Sequence, residues 1–367
     1  MAARTTVAPL TQAIYVSPLG SDGQSGTTPS GALRTLQAAL DRAQPGTVVK
    51  LAPGRYEQGG VTRVSGTATQ PITIVGSGTA VNTQPRTSTV VSDIGRVLSI
   101  NHSYYRLMGF TIDGEPAVAA PGRPTTPDQA AAYKDGVQAL VAPSELVYVG
   151  ADPAARYITG TLISHMTLTD AGTECVRIRD GARLTTITDS TIEWCGMLRQ
   201  PGEPTTYRYH NGEGVYVGTS PKSSDQPMSA NDPTSSTVIQ HNVIRTFGSE
   251  CVDVKENSHD NVVTSNVCVG NAEPMSYYGS ALEIRGYRNT VTNNTVSLSL
   301  GFGVKLASDP GTFAQGANIV TQNHFSLLSG PWIVNSQTKA QTLLCGNVAA
   351  GVTQPATLAI SGVQHCP

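Results

Sequence analysis

Charge is scarce in this chain: 24 Lys and Arg and 26 Asp and Glu among 367 residues make 14%, with a formal net charge of −2. So low a charged fraction excludes a long solvated helical bundle, whose outer faces need Glu, Lys and Arg. Near-neutrality gives no support to a nucleic-acid partner held by a broad phosphate-attracting field. Aromatic residues make up only 5%. No window approaches the roughly 18 consecutive apolar residues of a membrane span, so no membrane partner is expected. There is no Cys-x-x-Cys pair, which speaks against structural zinc. Neither a Gly-x-Ser-x-Gly elbow nor a P-loop is present, leaving Ser/His/Asp hydrolysis and nucleotide binding without support. The opening Met1-Ala-Ala-Arg-Thr-Thr6 has no apolar signal core and reads as the start of a mature domain.

What the chain does contain is Gly, Pro, Thr, Asn and Val, the composition of a β-rich, turn-rich protein. Segments of one pattern recur: Thr161–Leu168, Thr185–Ile192, Thr237–Ile244, Asn261–Cys268, Asn289–Val296 and Asn318–Phe325. A second, strictly alternating set reads Glu174–Arg179, Glu213–Gly218, Glu250–Lys255, Ser280–Arg285 and Phe302–Ala307. Their pairs Val176/Ile178, Val215/Val217, Val252/Val254, Leu282/Ile284 and Val304/Leu306 form one inward face. Strands of period two, repeated every 24–29 residues with almost no helix between them, indicate a single-domain parallel β-solenoid. One coil is stretched by insertions over about 197–210 and 219–235. Asn242, Asn266, Asn294 and Asn323 share one repeat position, where stacked amides would bond from coil to coil. Leu33, Leu36 and Leu40 predict an amphipathic helix within 30–44 that caps the N-terminal end of the core, and 340–367 forms the other cap. Six cysteines suggest local disulfides 175–195, 251–268 and 345–366, hence an oxidising, extracellular setting.

Stacking the alternating strands turns sequence offsets into columns about 4.8 Å apart. One outward column reads Arg177, Tyr216, Asp253, Glu283, Lys305; the next contains Arg179, Gly218, Lys255 and Arg285; a third, where the strands begin, contains Glu174, Glu213 and Glu250. In a chain this poor in charge, that face is the candidate active site. Lys255 beside Arg285 would have a lowered pKa and act as a base. Glu213, Glu250 and Asp253, with Asn211 close by, are hard oxygen ligands suited to Ca²⁺. Such an ion would acidify the C–H next to a substrate carboxylate, which makes β-elimination from a uronate-containing polysaccharide the leading reading. Gly218 would leave room for a sugar ring. Tyr209 and His210 in the first insertion, and Tyr277 and Tyr278, are aromatic or acid groups that would flank the groove. Trp194 beside Cys195 reads as packing.

The opening Ile14–Gly23, Arg34–Leu40 and Pro45–Tyr56 resemble secreted pectate-lyase-like proteins, implying a right-handed parallel β-helix. Glu250-Cys-Val-Asp-Val-Lys255 followed by Leu282-Glu-Ile-Arg285 resembles the alginate lyase and chondroitinase B group. The resemblance implies a base at Lys255, an arginine on the following coil at Arg285, and Ca²⁺ held by glutamates at Glu250 and Glu213. The chain departs from that group at Gly286-Tyr287, where a histidine is usual, and at Gly248, where a second glutamate is usual. Two enzymatic rivals follow from the same face: a glycoside hydrolase or intramolecular transferase using Asp253 and Glu283, and a uronate C5-epimerase. A non-catalytic glycan-binding solenoid is the non-enzymatic rival. A monomer acting on a polysaccharide or oligosaccharide is expected.

Overall fold

The alternating segments form strands, and each pairs with its counterpart one coil away. The structure is a computed structural model that describes residues 12–76, 86–87, 96–114, 123–125, 127–137, 144–198, 212–222, 232–270, 279–308, 316–328, 330–337 and 339–350. Three long sheets of 11, 10 and 9 strands run through these residues. Thr186–Thr188 lies in the first sheet, Thr191–Glu193 in the second and Val215–Val217 in the third; the next coil begins at Val238–Gln240. Their partners on that next coil are parallel and in register, as in Thr186↔Val238, Thr191↔Val243 and Val215↔Val252. The architecture is a right-handed parallel β-helix.

Each eight-residue repeat read from the sequence is two strands of different sheets rather than one. A corner residue with φ near +55° separates them: His165, Asp189, His241, Ser265, Asn293 and Gln322. L-residues adopt this left-handed region at a cost, and at the last four of these corners the asparagine that follows helps to hold it. Asn242 Nδ2 donates to Asn266 Oδ1 at 3.0 Å, Asn266 to Asn294 at 3.0 Å and Asn294 to Asn323 at 2.9 Å. The expected ladder therefore forms, and it extends to Asn347. A second ladder, Asn261–Asn289–Asn318–Gln341, runs along the corner ahead of the first sheet. Each side chain also accepts from a buried backbone N–H that the turn would leave unpaired.

The inward pairs Val176/Ile178, Val215/Val217, Val252/Val254, Leu282/Ile284 and Val304/Leu306 lie in one continuous buried core. Two disulfides form as expected, Cys175–Cys195 and Cys251–Cys268. The third expected pair ends on Cys366, outside the described residues.

The N-terminal cap is smaller than the sequence suggests. Its helix spans Leu36–Leu40 only, preceded by a 3-10 turn at Pro29–Gly31. The Thr35 side chain caps the helix by accepting from Ala38 N, and the Asp22 carboxylate accepts from Arg34 N and Thr35 N. Leu33 is thus held before the helix, in a strand-like bridge to Val16, but is buried all the same.

A second helix, Pro127–Val137, was not anticipated, although proline at its first position and three consecutive alanines favour it. It packs Ala130 and Val137 on Trp194, Met197 and Phe247, with the Tyr133 and Trp194 rings 5.0 Å apart. Trp194 is packing, as read. Lys134 is completely buried beneath this helix and donates to the carbonyls of Cys195 and Gly196.

Candidate active site

The third sheet carries the charged face. Its register aligns Arg177, Tyr216, Asp253, Glu283 and Lys305 in one column on successive coils. The same column continues upstream to Tyr148 and Ser99. Neither tyrosine belongs to the apolar core, since the valines on either side of each point inward instead.

Around Asp253 the groups are packed closely. Lys255 Nζ donates to Asp253 Oδ2 and sits 4.7 Å from the centre of the Tyr216 ring. Arg177 covers the same ring at 5.8 Å. On the next coil Glu283 takes two cations: Arg285 Nε lies 2.6 Å from its Oε1, and Lys305 Nζ donates to its Oε2 at 3.2 Å. Arg285 also donates to buried Glu256 at 3.1 Å. Gly218, with φ +89°, does not leave room for a sugar ring: a Cβ there would meet Ser258 Oγ at 2.0 Å, so the Ser258 side chain already fills that place.

One expectation is corrected. Lys255 was read as a lysine whose pKa falls beside Arg285, but its ammonium is held well above the ordinary value. Burial and Arg285 do push it down; Asp253 against it, with Tyr216 and Glu213, outweighs them. The cause lies along the strand, because residues two apart share a face of the sheet. Burial also raises the Tyr216 phenol, against the opposing pull of Lys255, so this hydroxyl keeps its proton.

Glu213, Glu250 and Asp253 are all buried, and one oxygen from each lies within 4.8 Å of the others. Glu213 Oε2 and Asp253 Oδ1 have no hydrogen-bond partner. Burial first, then the charges of Glu174 and Asp253, push the Glu213 carboxyl well above its usual range. Converging, buried and unsatisfied carboxylate oxygens form a donor set that fits a hard divalent cation. Asn211, Tyr209, His210, Tyr277 and Tyr278 lie outside the described residues. Gly248 has a physical reason: a Cβ there would sit 2.9 Å from Lys134 Nζ, so the buried lysine fills the space a glutamate would need.

Arg177 and Arg179, part of the charged face expected from the sequence, belong to a neighbouring group whose other members, Arg96, Glu145, Tyr148 and Asp180, that expectation does not include. Arg96 lies 3.5 Å over the Tyr148 ring and Arg179 lies 5.8 Å from it, while Tyr148 donates its hydroxyl to Asp180. Glu145 binds Arg96 at 2.6 Å and Arg177 at 3.7 Å. The signal was present: Glu145-Leu-Val-Tyr-Val-Gly150 repeats Glu213-Gly-Val-Tyr-Val-Gly218 at two coils' distance.

Comparison with known proteins bears on the fold. No family model matches the chain, and no curated protein matches it in sequence. Among solved structures it is similar to an alginate lyase from Paenibacillus sp. str. FPU-7, with TM-score 0.69 and 20% identity over 95% of this chain and 100% of that one. Pectate lyase Pel9A superposes at TM-score 0.58 and 14% identity, over 95% of this chain and 79% of that one. A rhamnogalacturonan lyase gives 0.57 and 15%, over 96% and 85%. The chain thus has the pectate-lyase-like parallel β-helix fold found in polysaccharide lyases.

Proposed function

We propose that this chain is a secreted polysaccharide lyase that cleaves a uronate-containing polysaccharide by β-elimination. The observation that carries the reading is the buried cluster of Lys255, Tyr216, Asp253 and Glu213 on the outward face of the third sheet. The solved lyases of the same fold support it, and the two disulfides support an extracellular setting.

In this reading Lys255 Nζ takes the proton from the carbon next to the substrate carboxylate. The C–H electron pair forms the new C=C bond, and the glycosidic C–O bond breaks. Tyr216 still carries its proton and gives it to the departing oxygen. Arg285, one-fifth exposed, faces the carboxylate, with Arg177 and Lys305 along the groove. Ca²⁺ held by Glu213, Glu250 and Asp253 would neutralise that carboxylate and acidify the adjacent C–H. Lys255 must first lose its own proton. Asp253, which now holds that proton in place, is also one of the three carboxylates of the cation set. An ion held by this carboxylate set would weaken the hold of Asp253 on Lys255 and so favour loss of the ammonium proton to solvent, leaving the neutral form a base requires.

The test is turnover of alginate, chondroitin or dermatan, pectate and neutral glycans, with and without chelator. The expected outcome is an unsaturated, ultraviolet-absorbing product from an acidic glycan, suppressed by chelation. Cleavage of a neutral glycan with no turnover of any acidic one would sink the reading. One observation favours a glycoside hydrolase as the second reading: burial and Glu283 push Asp253 up, while Arg285 and Lys305 overcome burial to hold Glu283 down. Paired carboxylates with separated pKa values are what that chemistry uses. New reducing ends without absorbance would decide for it.

A further inference from the structure

The outward face of the third sheet contains the tyrosine arrangement twice. Tyr216 lies between Arg177 and Lys255, and two coils upstream Tyr148 lies between Arg96 and Arg179. Two coils correspond to roughly 10 Å along the groove, comparable to a disaccharide. We propose that Arg96, Tyr148 and Arg179 form an accessory subsite for the carboxylate of a second uronate, two sugar residues along the chain from the one at Tyr216. The proposal rests on the lyase reading of the groove and extends it to the polymer's length and charge spacing.

Arg179 carries the argument. Its side chain is 8% exposed, yet its Nε has no hydrogen-bond partner. Its ion-pair partner is Asp180 at 3.7 Å, and Asp180 Oδ2 already accepts from the Tyr148 hydroxyl. Burial, with Asp232 behind it, pushes the Asp180 carboxyl up, which makes it a weak counter-ion. A buried guanidinium with an unfilled donor is poor for stability, and an apolar side chain of similar size would serve the fold as well. Its planar fork does match a carboxylate. Arg96 also lies over this ring, at 3.5 Å, and is 15% exposed. The Tyr148 hydroxyl is already committed to Asp180, and among the described residues no lysine lies over its ring. This copy is therefore built to hold a charge and not to move a proton.

The test uses uronate oligosaccharides of three and six residues with Arg179→Met and, separately, the more exposed Arg96→Gln. Turnover is measured in the wild-type background and binding by calorimetry in a Lys255→Ala background. Each variant should lower kcat/KM and affinity for the hexasaccharide roughly tenfold more than for the trisaccharide. The trisaccharide rate reports folding in the same sample. Equal losses at both lengths, or none, would overturn the subsite while wild-type turnover keeps the lyase reading intact. Failure of the wild type to turn over or bind any acidic oligosaccharide would overturn both.

Discussion

The segments Glu145–Gly150 and Glu213–Gly218 share five of six residues and one position on the same sheet, yet their glutamates stand in opposite states. Burial works against both carboxylates. Around Glu145 the guanidinium groups of Arg177 and Arg96 more than offset it, and the pKa is held down at about 2. Around Glu213 the neighbours are Glu174 and Asp253, Lys255 and a backbone hydrogen bond do not outweigh them, and the carboxyl is pushed well up. A motif on a solenoid thus takes its chemistry from the coils above and below it. The glutamate of the upstream copy is held in ion pairs, whereas the glutamate of the downstream copy keeps an unfilled oxygen among other carboxylates. Unsatisfied buried polar groups of that kind cost stability and are retained where they have work to do.

The largest expected difference between the copies is in the rate. Lys255→Ala and Tyr216→Phe should each lower kcat on an acidic polysaccharide by about 10²–10⁴, the range for loss of a positioned proton-transfer group. Tyr148→Phe, which removes the equivalent hydroxyl, should cost less than about tenfold. Comparable losses from the two phenylalanine variants would mean that the tyrosines share a structural role and that the acid lies elsewhere.

Stability should separate the copies in the opposite sense. Glu145→Gln leaves Arg96 and Arg177 partly buried with one counter-charge fewer, so unfolding free energy should fall by about 2–3 kcal/mol. Glu213→Gln removes a carboxylate crowded by others and, without divalent cation, should leave the melting temperature unchanged or higher. The same variant should weaken Ca²⁺ binding about 10–100-fold, the size of effect that loss of one supporting group brings to a metal site. A Glu213→Gln protein that melts well below the wild type in chelator would remove the contrast.

Much of this was legible before any coordinates. Offsets along the repeat gave the outward column from Arg177 to Lys305, because a strand of period two on a regular coil leaves its side chains no other arrangement. The asparagine ladder and two disulfides were legible for the same reason. Less accessible is the state of Lys255, because Asp253, two residues away on the same strand face, outweighs Arg285 on the next coil, and sequence alone does not rank the two. Corners such as His241 escaped notice because a positive φ on a histidine leaves no mark in hydrophobic alternation. The coil at Val147–Val149 was missed because the helix Pro127–Val137 interrupts the spacing just before it.

The finest distinction between the copies is in pH. Glu145 has a folded pKa of about 2 against 4.5 for the free side chain. Below about pH 4.5 the unfolded chain takes up a proton there first, so the stabilisation, at most about 3 kcal/mol, drains away between pH 4.5 and 2. Glu213 behaves in reverse, because its folded pKa is raised. As pH rises above about 4.5 the unfolded chain releases its proton while the folded one retains it, so this residue makes the fold less stable toward neutrality. Ca²⁺ binds the ionised carboxylates and should cancel that decline. Urea unfolding from pH 3 to 8 should then show an acid limb indifferent to Ca²⁺ and reduced in Glu145→Gln, with Asp260 and Glu283 carrying the remainder. A second, shallower decline toward neutrality should shrink with either Ca²⁺ or Glu213→Gln. If Ca²⁺ leaves the neutral limb untouched, the three carboxylates do not hold the ion, and the contrast between the copies reduces to ion pairing alone.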